Sequence, residues 1–258
     1  MLEIRDAGAV RVLALDRTDA LNAFNGALFD ALTDGLLAAQ DDDGVSVVVI
    51  TGNGRTFTAG ADLNEMGQGA ADRPPAPRHG FAGMVEVLID YTKPVVAAVN
   101  GAAIGVGGTI CGLVDIVLMA DSARMRCPFA ALGINPEAGS SVTFPEMMGP
   151  QRAAWFLYSA DTMSAQDCLH AGIALEVLPD DGFMEQVMTR AGKLAAQAPS
   201  SLRETKALLM APRREGLRQA VAAENEALGR TVGSAENREA IRAFMEKRAP
   251  DFSAARGG

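Results

Sequence analysis

The stretch Val99-Asn100-Gly101-Ala102-Ala103-Ile104-Gly105-Val106-Gly107-Gly108 ends a short apolar run at residues 94–99 and opens a glycine-rich helix expected over residues 105–114. A further apolar run, residues 116–120, follows it. Strand, helix and strand in that order predict a crossover α/β architecture. The apolar stretch from 95 to 112 is rich in Gly and Ala, and Asn100 interrupts it. A membrane helix needs roughly 20 predominantly apolar residues, so strand, turn and helix is the better reading.

Outward from this segment, residues 10–15 and 45–51 are β-branched runs bounded by turn residues and read as strands. Between them, Leu28, Phe29, Leu32, Leu36 and Leu37 fall at helical spacing over residues 25–39, with Asn25 as the capping residue. Beyond residue 150 the pattern is helical, over 151–159, 164–171, 183–197, 202–211, 216–230 and 235–247; residues 173–178 are the one strand candidate there. The chain thus reads as an α/β core with a C-terminal helical extension. Residues 66–80 hold Gly67, Gly69, Pro74, Pro75, Pro77 and Gly80, a composition that suits a substrate lid or an irregular loop.

The chain has 258 residues, which accommodates one large domain or a core with an appendage. Its formal charge of −9 and lack of a basic stripe argue against a nucleic-acid partner. Cys111, Cys127 and Cys168 are odd in number and lack metal-ligand spacing, so they read as small buried hydrophobes of a reducing compartment. His79 and His170 sit in no metal-binding pattern. The charged start, Met1-Leu2-Glu3-Ile4-Arg5-Asp6, lacks a secretory hydrophobic region, and a cytoplasmic location is expected.

Three segments can carry chemistry. In Arg55-Thr56-Phe57-Thr58-Ala59-Gly60-Ala61-Asp62-Leu63, small residues at 59–61 let a ligand approach the main chain, although any tight turn can hold them. In the segment from Val99 to Gly108, the first helical N–H groups lack intrahelical partners and carry partial positive charge, so an anionic oxygen is stabilised there; glycine for close helix–sheet packing is the plainer alternative. In Gly133-Ile134-Asn135-Pro136-Glu137-Ala138-Gly139-Ser140-Ser141, Pro136 disfavours helix at Asn135, and Ser140 and Ser141 suit the cap of a helix over residues 142–148. Glu137 taken alone would read as a solvated surface charge.

Taken together, G-A-D, N-G-x-x-x-G, C-P-F and P-E-x-G-S-S in that order resemble the crotonase, or enoyl-CoA hydratase/isomerase, superfamily. The resemblance runs from Leu15-Asp16-Arg17-Thr18-Asp19-Ala20-Leu21-Asn22-Ala23 to Ala243-Phe244-Met245-Glu246-Lys247-Arg248. It implies a ββα spiral core over residues 1–200 and a helical trimerisation region over 201–258. It also implies a thioester oxygen held by the peptide N–H groups of Ala61 and Val106. Ala20, Leu21, Asp62, Leu63 and Asn64 match positions that line the CoA path. Phe244 and Lys247 match a C-terminal helix pair that reaches the nucleotide from a neighbouring subunit, and otherwise fit an ordinary amphipathic helix. An acyl-CoA thioester partner and a homotrimer or dimer of trimers follow from the same resemblance, with no nucleic acid, no membrane, no metal and no cofactor beyond the CoA of the substrate.

Hydratases of the superfamily use two glutamates to handle water. Their matching positions here are Thr109 and Phe129, which cannot serve as bases. Pro136-Glu137-Ala138-Gly139-Ser140-Ser141, with Thr143-Phe144-Pro145 downstream, resembles instead the peroxisomal type of Δ3,Δ2-enoyl-CoA isomerase, in which the matching glutamate is the single base. The expected activity is therefore a shift of a 3-enoyl-CoA double bond to trans-2-enoyl-CoA, in the manner of fatty-acid β-oxidation. Another crotonase reaction (hydration, thioester hydrolysis or a ring-degradation isomerisation) and a non-catalytic acyl-CoA- or RNA-binding relative are the alternatives. Met66, Phe81, Met84, Val87 and Leu88 fit either an acyl tunnel or plain helix core.

Overall fold

The computed structural model describes residues 1–62 and 76–253. Leu63, Asn64, Met66 and most of the expected lid lie outside the described residues. The central sheet is built from β1 (Leu2–Ala7), β2 (Val10–Leu15), β3 (Val47–Gly52), β5 (Val95–Val99), β7 (Ile116–Ala120) and β10 (Glu176–Leu178), side by side in that order. β1 is antiparallel to β2, and every other pairing in this sheet is parallel. β3 and β5 are buried at every residue, which is why they appear in the sequence as continuous apolar runs rather than alternating ones.

A second, smaller sheet holds β4 (Thr56–Thr58), β6 (Ala102–Ile104), β8 (Arg124–Arg126) and β9 (Thr162–Ser164). Each pass of the chain gives one strand to the large sheet and the next to the small one: β3 then β4, β5 then β6, β7 then β8. Between passes run α2 (Gly80–Asp90) and α3 (Val106–Ile110). This alternation is the ββα spiral that the sequence implies.

α1 (Gly26–Asp41) begins where Asn25 Oδ1 accepts from the Leu28 amide at 2.9 Å, the cap read from the sequence. Its apolar stripe packs on β2 and on α2, with Phe29 stacked on Phe24 and edge-on to Phe81. Met84 and Leu88 are fully buried on α2, and Phe81 and Val87 pack against the same core.

The helices after β8 are α4 (Ser140–Met148), α5 (Pro150–Ser159), α6 (Ala165–Ala171), α7 (Phe183–Ala195), α8 (Pro199–Met210), α9 (Arg214–Thr231) and α10 (Ala235–Met245). A buried cation ties α8 to the large sheet. Lys206 Nζ, 4% exposed, reaches Asp115 Oδ2 at 2.7 Å and the Lys93 carbonyl at 2.8 Å. Asp115 also accepts from the Val95 amide, and Lys93 Nζ closes the end of α1 through the carbonyls of Ala39 and Asp42.

Two expectations are corrected. The helix over 105–114 is only Val106–Ile110, because Cys111, Gly112 and Leu113 donate three residues back, tightening the last turn. Ser140 and Ser141 do not cap α4. Gly139 occupies the cap position, and the Ser140 hydroxyl donates to the Glu137 carbonyl at 2.6 Å.

Candidate functional site: two main-chain amides and a half-buried carboxyl

Ala61 follows β4 and forms an isolated parallel bridge with Phe24. The Phe24 amide donates to the Gly60 carbonyl at 2.7 Å, and the Asp62 amide donates to the Phe24 carbonyl at 2.8 Å. Since Phe24 bonds the residues before and after Ala61, the N–H of Ala61 itself faces the opposite side. Asp62 is held by Arg17 at 3.1 Å, and the same guanidinium donates to the Ala23 carbonyl at 2.6 Å. Arg17 thereby fixes both edges of the Ala61 turn.

Val106 is the first residue of α3, so its N–H has no intrahelical acceptor. Gly105 before it has φ 53° and ψ −114°, and Gly60 before Ala61 has φ 94°. L side chains avoid both conformations. The two turns are packed together. A methyl group at Gly60 would lie 2.9 Å from the Ile104 carbonyl oxygen, and one at Gly105 would lie 4.0 Å from Gly60 Cα. The two turns, each with a positive-φ glycine just before Ala61 or Val106, therefore stand side by side. Fixed main-chain donors stabilise an oxygen that becomes negative during reaction without reorganising at that moment.

The third component is Glu137. Burial pushes its carboxyl up from the ordinary 4.5 to about 7, with the nearby charge of Glu224 as the second cause. Cys127 stands beside the Gly105 turn. Its thiol lies 3.9 Å from the Gly105 carbonyl, and its pKa is raised well above the ordinary value, first by burial and then by the charge of Glu137. The turn carrying Glu137 is strained: Ala138 has φ 57°, costing about 1–2 kcal/mol for a residue with a Cβ. What holds it is Glu224, from the middle of α9. One of its oxygens accepts from the Gly139 amide at 2.7 Å and the other from the Ser141 amide at 2.8 Å. Glu224 leaves no signal in the sequence because it sits in Glu224-Asn225-Glu226, which reads as a solvated helix face.

Ala20 is half-buried and Leu21 exposed, and they stand beside the Ala61 turn, where the Ala59 amide donates to the Leu21 carbonyl at 2.9 Å. Asn22 anchors that loop from below, donating to the carbonyls of Asn53 and Thr56 and accepting from the Arg17 amide. Thr109 and Phe129, where hydratases carry glutamates, are buried; the Thr109 hydroxyl donates back to the Val106 carbonyl at 3.3 Å. Phe244 and Lys247 are exposed at the end of α10, and among the described residues no hydrogen bond or ion pair joins them to Ala61, Val106 or Glu137. The three cysteines are free and buried. Among the described residues no cluster of three or more His, Cys, Asp or Glu is arranged to hold a metal ion, and no helix is long and apolar enough to cross a membrane.

A ββα spiral in which two glycine turns pack against each other where large-sheet and small-sheet strands alternate is the architecture of a crotonase-type acyl-CoA enzyme. The chain belongs to the enoyl-CoA hydratase/isomerase family, whose model matches residues 5–255. It is 35% identical over 243 residues to the 2,3-dehydroadipyl-CoA hydratase of Escherichia coli (strain K12), covering 94% of each chain. It is 32% identical over 255 residues to the enoyl-CoA delta isomerase 2 of Homo sapiens, covering 96% of this chain and 64% of that one. The crystal structure of an enoyl-CoA hydratase/isomerase from Pseudoalteromonas atlantica T6c superposes with a TM-score of 0.91 at 33% identity, covering 98% of this chain and 99% of that one.

Proposed function

We propose that this enzyme moves the double bond of a 3-enoyl-CoA into conjugation with the thioester, giving trans-2-enoyl-CoA. The observation that carries the reading is Glu137. Among the described carboxyls whose pKa is displaced, the others are pulled down, whereas Glu137 is pushed up to about 7. A base poised near working pH both accepts and returns a proton efficiently.

The Glu137 carboxylate takes a proton from C2. The electron pair of that C–H bond delocalises into the thioester, and the dienolate oxygen rests on the amides of Ala61 and Val106. Protonated Glu137 then delivers the same proton to C4, the C2=C3 bond forms, and the carboxylate is restored. One carboxyl suffices because nothing is added. Ala20, Leu21 and Asp62 line the CoA path, while Leu63 and Asn64 lie outside the described residues. Phe244 and Lys247 reach the nucleotide of a neighbouring subunit in a homotrimer or dimer of trimers. In support, Leu208, Leu209, Phe244 and Met245 leave apolar surface exposed on α8 and α10.

The likeness to a 2,3-dehydroadipyl-CoA hydratase favours addition of water as the second reading. Thr109 and Phe129 weigh against it, since neither supplies a second carboxylate. The two are separated with 3-hexenoyl-CoA. Isomerisation makes the conjugated enoyl absorbance appear, and hydration of a 2-enoyl-CoA makes it vanish. Undiminished isomerase turnover by the Glu137→Gln protein would remove Glu137 from the mechanism.

A further inference from the structure

Glu224 is a buried carboxylate, 5% exposed, whose two oxygens each accept a main-chain amide on the strained turn after Glu137. Such bonds are short and charge-assisted, and breaking them would strand Glu224 in the interior. The same stretch of chain is gripped elsewhere from the C-terminal helices. Asn135 donates to the Pro136 and Glu224 carbonyls and accepts from the Thr231 hydroxyl, while Asn237 of α10 donates to the Leu132 carbonyl. Leu217 of α9 lies 3.3 Å from where a methyl group on Gly139 would stand. The loop that presents Glu137 is therefore a surface of α9 and α10 as much as of the spiral core.

Resting on the reading of Glu137 as the proton shuttle, we propose that Glu224 is a positioning residue: it clamps the 137–141 turn through both carboxylate oxygens and so fixes where that turn presents Glu137. A side chain that served only as a cap would fix the turn and leave the base untouched. Beside the clamp, the charge of Glu224 is the second cause, after burial, that raises the Glu137 carboxyl. The titratable groups bearing on this electrostatic link are Glu224 from α9 and Cys127 from the segment after β8. Burial keeps the Cys127 thiol neutral, so Glu224 contributes the charge. The consequence is that helices remote in sequence determine both the direction and the working pH of the base.

The test is the pH–rate profile of Glu224→Gln with 3-hexenoyl-CoA, beside wild type and Glu137→Gln. The amide side chain keeps one acceptor, loses the other and carries no charge. We expect the midpoint of the acid limb to fall, because burial, the larger cause, remains while the charge is gone. Plateau kcat should fall about 10-fold or more as the turn loosens, with KM unchanged. A folded Glu224→Gln protein that keeps the wild-type kcat and acid-limb midpoint overturns the proposal. An active Glu137→Gln protein overturns the parent reading instead, and does so independently of Glu224. Should Glu224→Gln fail to fold, hydrogen exchange in the wild-type protein decides. Protection of the Gly139 and Ser141 amides comparable to the interior of α4 supports the clamp, and exchange at open-loop rates refutes it.

Discussion

Replacing Glu137 by Gln should abolish turnover and, at the same time, stabilise the protein in a pH-dependent way. Below pH 4.5 the carboxyl is protonated whether the chain is folded or unfolded, and it adds no pH dependence. Between 4.5 and about 7 the unfolded chain releases its proton while the folded protein keeps it, so the native state loses stability as pH rises. Above about 7 the loss is complete. At 1.36 kcal/mol for each unit between the two values, the full penalty is roughly 3 kcal/mol, and most of it accrues between pH 5 and pH 8. The amide that replaces the carboxyl has no such proton to release. The stability of the Glu137→Gln protein relative to wild type should therefore grow by about 2–3 kcal/mol from pH 5 to pH 8. Urea titrations of both proteins at those two pH values measure the difference directly. A gap that is the same at both, or that narrows toward pH 8, would show that Glu137 is not the desolvated, high-pKa carboxyl described above.

Val106→Pro removes one amide donor at the first helical position, where the helix itself tolerates proline; in the protein that circular dichroism shows to be folded, kcat should fall about 10²–10³-fold. Lys206→Ala leaves Asp115 without its ammonium partner, although Asp115 keeps the Val95 amide, so a loss near about 3 kcal/mol is expected by urea unfolding. Light scattering on the purified protein should return the mass of three or six chains, and a monomer at micromolar concentration would contradict the proposed subunit exchange of Phe244 and Lys247.

Much of the large sheet is legible in the sequence because its strands are long enough to show as β-branched runs, and β7 can be read there at its true limits. The small sheet is not. β4, β6, β8 and β9 are three residues each, too short for any periodicity, and the Gly101–Ala103 run looks like part of a turn. β1 escapes for another reason: it is an edge strand with five of six residues exposed, so its charged sequence resembles a loop. At the site, the glycines at 60 and 105 announce the two amide turns, because their backbone shape requires them. The support of Glu137 does not announce itself. A serine cap beside the helix is the local signal, whereas the groups that hold the turn come from a glutamate more than eighty residues away in sequence.

The central claim is spatial: one thioester oxygen on two amides, with Glu137 against the neighbouring carbons. A crystal structure with a non-reacting acyl-CoA tests it most directly. The account predicts the thioester oxygen about 2.7–3.1 Å from both the Ala61 and Val106 nitrogens, with a Glu137 oxygen facing C2 and C4. A thioester oxygen held by other groups, or a Glu137 carboxyl turned away from the acyl chain, would contradict it.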